Sequence, residues 1–133
     1  EQFPEQNLWP SDIPARAMAR SICAEMHSGF SDLRSSMPMN ICAHLPTHGR
    51  NLGAQADIGR ISEIWEICLT KYSHGQFLFG EFSIADAYFA PVVMRFRIYC
   101  VSLAPALQAY CERVQAHPAV AAWIELARLE VAA

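Results

Sequence analysis

Apolar residues recur at helical spacing through most of this chain, and that spacing divides it into segments. Ile22, Met26, Phe30, Leu33 and Met37 come every three or four positions and form one stripe, which predicts a helix with a single buried face. Ser11 or Asp12 can cap its start, Pro14 suits its first turn, and it must stop before Pro38. Ser28 and Gly29 fall mid-helix, where they weaken it or let another chain come close. Residues 38–51 read as a loop broken by Pro46 and Gly49. A second long helix follows with Ile58, Ile61, Trp65, Cys68 and Tyr72 on one face, and with Arg60, Glu63 and Glu66 among its exposed positions. Gly75 is its expected left-handed C-terminal cap.

Phe77–Gly80 is a short apolar connector, after which Ser83 and Asp86 open a helix apolar nearly all round as far as Tyr99. Such a helix belongs in the middle of a bundle, and Pro91 inside it predicts a kink or a displaced first turn. Two shorter helices start at Pro105 and Pro118; Leu107, Tyr110 and Val114 face inward from one, Val120, Ile124 and Ala127 from the other. Alternating strand patterns and internal repeats are absent from the sequence. The expectation is an all-α fold, a five-helix bundle over residues 12–133 preceded by a linker at 1–11.

Composition narrows the functional classes. With 133 residues, the chain is one domain, and at 53% hydrophobic against 17% charged it is more apolar than an average soluble domain. That suits a tightly cored helical protein or one that keeps an apolar face for another domain. A net charge of −3 without a basic run argues against nucleic acid. Five widely spaced cysteines are odd in number and never in a C-x-x-C pair, and three of them fall among apolar residues at helical spacing, which fits small buried hydrophobes in a reducing compartment. The stretch from Ala85 to Val101 is interrupted by Asp86, Pro91, Arg95 and Arg97, too short and too charged to span a bilayer. The N-terminus shows no signal peptide, so a cytoplasmic location and no membrane partner are expected. Cys42, His44 and His48 have a metal flavour, but Pro46 interrupts any helix that would align the histidines and a fourth ligand is missing nearby; no metal is expected. Gly-rich phosphate loops and G-x-S-x-G motifs do not occur.

Ser83-Ile84-Ala85-Asp86 is a capping box: the hydroxyl of Ser83 can accept from the N–H of Asp86 while the carboxylate reaches back to the N–H of Ser83. A staple between Phe82 and Ala87 would be weak. The whole run from Phe77 to Asp86 resembles the glutathione transferase segment "fl-G-x-x-[ST]-[IVL]-A-D", which opens the central helix of that family's C-terminal domain. Glu1 to Glu5 with Leu8-Trp9-Pro10 is similar to the exit from the preceding thioredoxin-like domain and its linker, and Ala116 to Val120 with Trp123 is similar to the "hPav–W" ending of bacterial members.

The resemblance implies a two-domain enzyme in which an N-terminal thioredoxin-like domain, absent from this chain, holds glutathione as co-substrate and supplies the activating serine, tyrosine or cysteine. The helical domain would line the pocket for a hydrophobic small-molecule electrophile and contribute to a homodimer interface. It carries no catalytic residue, and alone it should be inactive. The alternative is a non-enzymatic protein–protein interaction module of the same fold, as in translation factors and synthetase complexes; a free-standing ligand carrier is a third, weaker reading. Glu25 to Arg34 is similar to the "D-I-H-P-L-x-N-L-R" stretch of zeta-class members, the maleylacetoacetate isomerases: His27 and Arg34 match, whereas Ser28 stands in the place of the proline.

Four residues are candidates for substrate binding: Met26, His27, Phe30 and Arg95. Met26 and Phe30 are either pocket walls or ordinary core, and His27 is either a donor to a polar substrate or a surface or interface residue. Arg95 and Arg97 need partners in so apolar a helix. Arg95 either pairs with Asp32, Glu25 or another carboxylate, or faces the cleft to fix an anionic group. Ser83 and Asp86 are structural.

Overall fold

The computed structural model describes residues 2–132, the side chain of Ala132 excepted; Glu1 and Ala133, at the ends of the expected linker and helical domain, lie outside the described residues. A 3-10 turn (Pro4–Gln6) precedes six α-helices: α1 (Ile13–Ser28), α2 (Ser31–Ser36), α3 (Leu52–Lys71), α4 (Ile84–Ile98), α5 (Pro105–Ala116) and α6 (Pro118–Ala132). Among the described residues there is no strand, only an isolated bridge between Phe77 and Gly80. The all-α class is therefore the observed one.

The first expected helix is two. Gly29 is extended and Phe30 is left-handed at φ 58°, so the chain turns between α1 and α2. Ser28 turns its hydroxyl back to the carbonyl of Ala24, which competes with continuation of the helix. Arg34 donates to the carbonyls of Met26 and His27, satisfying the end of α1, while Asp57 on α3 accepts the N–H of Leu33 at 2.9 Å. Elsewhere local rules operate as read. Asp12 caps α1 by accepting from Ala15 at 3.0 Å, and Asn51 caps α3 by accepting from Ala54 at 2.8 Å. Gly75 does not supply the cap of α3: the helix ends at Tyr72 in an ordinary right-handed conformation, and the left-handed glycine is Gly80, at φ 99°, in the tight turn that follows. α4 runs on through Pro91.

α4 is the axis of the molecule. It packs against α1 on one side and α5 on the other, and α6 packs on α5. Phe89, Val92, Val93 and Met94 are fully buried, and each such side chain contributes about 1.5–3 kcal/mol of burial energy. Where α3, α4 and α5 meet, Trp65 stands edge-on to Phe89 and Tyr110, with ring centroids 5.7 and 5.0 Å away.

The start of α4 lies inside the protein, so its free N–H groups need acceptors. Asp86, fully buried, accepts from the N–H of Ser83 at 2.9 Å, the N–H of Leu78 at 3.1 Å, the hydroxyl of Ser83 at 3.2 Å and the phenol of Tyr110 at 3.0 Å. The Ser83 hydroxyl accepts from Ala85 at 3.3 Å, completing a reciprocal cap. Burial pushes the Asp86 carboxyl above its ordinary value, against the opposite pull of these donors. Phe82 does not staple to Ala87, which is exposed; it stacks on His117, with centroids 3.7 Å apart.

Candidate functional site

The outward faces of α1 and α4 lie side by side, and the segment before α1 closes one end of the groove between them. The N–H of Ile84 donates to the carbonyl of Leu8 at 3.0 Å, which holds Trp9 next to the start of α4. Arg20, about two turns into α1, places its guanidinium 5.6 Å from the centre of the Trp9 ring. Trp9, Arg20, Cys23, Ala24, His27 and Tyr88 surround a surface depression of about 350 Å³. A second hollow of about 490 Å³ continues from it past Trp9 and Arg20 to Phe3, Leu8 and Arg16. Tyr88 is 40% exposed although it belongs to the most buried helix, so its ring is presented to whatever lies above α4. Apolar walls with a few polar groups at the rim are what a site for a small, partly apolar molecule requires.

The four candidates from the sequence do not come together here. His27 is exposed and lines the depression. Met26 and Phe30, only 6% and 7% exposed, pack into the core. Arg95 is half-buried and meets backbone rather than carboxylate: its Nε donates to the carbonyl of Met37 at 3.0 Å and an Nη to that of Pro91 at 3.3 Å. Of the acids considered for it, Glu25 pairs instead with Arg60, at 2.8 Å. Burial, and then the like charge of Arg34, lowers the Arg95 pKa.

Trp9, Arg20, Ala24 and Tyr88 escaped the sequence reading, though a signal existed. Arg20, Ala24 and His27 are spaced i, i+4, i+7 and share one face of α1, whereas Met26 is turned about 100° away from His27. Phe30 would share the face of His27 in an unbroken helix; the turn at Gly29 removes it. Cys23 sits at the base of the depression with its thiol pushed up to about 11, by burial first and then by the charge of Asp86.

The sequence model of the family described as "Glutathione S-transferase, C-terminal domain" matches residues 53–126, more than half of the chain. The chain belongs to this family. A glutathione transferase homolog from Burkholderia, crystallised with bound glutathione, has the same fold at a TM-score of 0.62 and 25% sequence identity. The alignment covers 91% of this chain and 55% of that protein, so the chain spans little more than half the length of its glutathione transferase neighbour. Curated protein sequences contain no match. Among the described residues, no helix of this glutathione transferase domain is long and apolar enough to cross a membrane.

Proposed function

We propose that this chain is the helical half of a glutathione transferase, and that the α1–α4 face walls the site for the electrophile that glutathione attacks. A thioredoxin-like domain preceding residues 1–11 would hold the glutathione and supply the activating residue, and two such proteins would pair in a homodimer. The observation that carries the reading is Tyr88: an aromatic ring projecting from a largely buried helix, across a depression from His27 and beside Trp9. Aromatic edges on two sides suit a flat apolar substrate, while His27 offers a donor to a polar substituent. Arg95 belongs to the fold rather than to this site, since its Nε and one Nη donate to the carbonyls of Met37 and Pro91.

In the two-domain protein, Tyr88→Ala should raise KM for an aromatic electrophile about tenfold, a loss of about 1.4 kcal/mol of binding, and leave KM for glutathione unchanged. Steady-state conjugation kinetics with each substrate varied in turn test this. An unchanged electrophile KM would remove the α1–α4 face from the substrate site and favour an interaction module instead.

A further inference from the structure

At the opposite end of α4 from the buried cap, a cysteine and a histidine meet beside a separate cavity. Cys100 follows the last turn of α4 with its thiol exposed, and its Sγ lies 3.7 Å from Nδ1 of His44. His44 comes from the loop between α2 and α3, and that loop is tied to the helix end by four bonds. The N–H of Leu45 donates to the carbonyl of Ile98 at 2.8 Å, and Arg50 donates to the carbonyls of Tyr99 and Cys100 at 3.0 and 2.7 Å. The Tyr99 phenol donates to the carbonyl of Pro38 at 2.9 Å. The two segments that carry the pair are thus held against each other.

Cys100 also lines a cavity of about 340 Å³ between the last turns of α4 and helix α5. Its floor includes Val93 and Phe96, and its polar rim is Arg97, Gln108, Glu112 and Gln115. Glu112 is held by the side-chain amide of Gln108 at 3.1 Å, while the Arg97 guanidinium pairs with no carboxylate among the described residues. A nucleophile, a proton acceptor in contact with it, and an adjoining pocket with an available cation form one arrangement. None of it belongs to the α1–α4 face.

We propose that Cys100 is a modification site that undergoes thiol–disulfide exchange with a small peptidic disulfide bearing carboxylates. The Cys100 sulfur attacks one sulfur of the disulfide; the new Cys100–S bond forms as the S–S bond breaks. The disulfide is the oxidant, and its departing half is released as a thiolate. The thiol proton passes to Nδ1 of His44 and from there to the departing thiolate, so that one mixed disulfide and one free thiol result. The retained half occupies the cavity with a carboxylate on Arg97.

Oxidised glutathione is the probe, added to the folded 133-residue domain. Mass spectrometry with peptide mapping should find the adduct on Cys100 forming about tenfold faster than that on Cys42, the other exposed thiol. His44→Gln and His44→Ala should each slow modification of Cys100 about tenfold near neutral pH and leave Cys42 unaffected. Arg97→Met should slow reaction with oxidised glutathione but not with uncharged hydroxyethyl disulfide. Cys23, Cys68 and Cys111 are buried, so their modification in any variant reports a lost fold, and the remaining variants then decide. Cys42 reacting as fast as Cys100, or a folded His44 variant reacting at the parent rate, overturns the proposal. Equal rates with the charged and uncharged disulfides overturn the role of Arg97 and the cavity.

Discussion

Four donors converge on the Asp86 carboxylate, and none of them has another acceptor among the described residues. Asp86→Ala should therefore destabilise the domain by about 3–4 kcal/mol, near the upper end for single substitutions, and Ser83→Ala by about 1 kcal/mol. Urea melts monitored by circular dichroism measure both; overlaying curves would mean that the cap does not hold the start of α4. The buried thiols make a separate statement about pH. Burial raises Cys23 to about 11, Cys68 to about 12 and Cys111 to about 12, all from an ordinary 9.0. A raised folded-state pKa means that the unfolded chain loses its proton first, so the native state binds more protons above pH 9.0. This stabilisation is complete below the unfolded value and disappears as pH climbs through the folded ones. Melting temperature should fall steadily over that window, and Cys68→Ala should make the fall shallower even though it lowers stability in neutral buffer.

Among the elements, α2 depends on its neighbours for both ends. Six residues are too few to hold a helix unaided, so Asp57 of α3 caps its first turn and Arg95 of α4 takes the carbonyl of Met37 at its exit. Arg95→Met should cost about 1–2 kcal/mol through the lost bonds to Met37 and Pro91. In the two-domain protein it should lower melting temperature while leaving unchanged the ratio of KM values for acidic and neutral electrophiles. A shifted ratio at constant melting temperature would return Arg95 to the substrate. The sequence announced most of these elements. α5 and α6 start at Pro105 and Pro118, where the stop–start chemistry of proline is local. The break between α1 and α2 was less legible, because the apolar stripe from Ile22 to Met37 continues across it; a 3.6 period survives one turn if the side chains still reach the same core.

At the scale of the whole molecule, local chemistry determined the helices, the reciprocal cap at Ser83 and Asp86, and the central place of α4. Each follows from residue spacing or from hydrogen bonds between groups a few positions apart. The run from Phe77 to Asp86 also carried the family resemblance, for the same reason: a buried helix start has few sequence solutions. What lay beyond sequence was the pairing of outward faces. Trp9 and Tyr88 are far apart along the chain and are joined at one depression only because Ile84 bonds to Leu8 and α1 packs on α4. Arg95 looked destined for an acidic partner because charge in an apolar helix demands compensation; the structure met that demand with the carbonyl of Met37 at the end of α2 and that of Pro91 in its own helix. His44 and Cys100 show the same limit, separated by 56 positions and brought together by a loop clamped to the end of α4. Spacing specifies which side of a helix is buried. Which exposed sides confront one another is set by long-range contacts, and these are properties of the packed bundle.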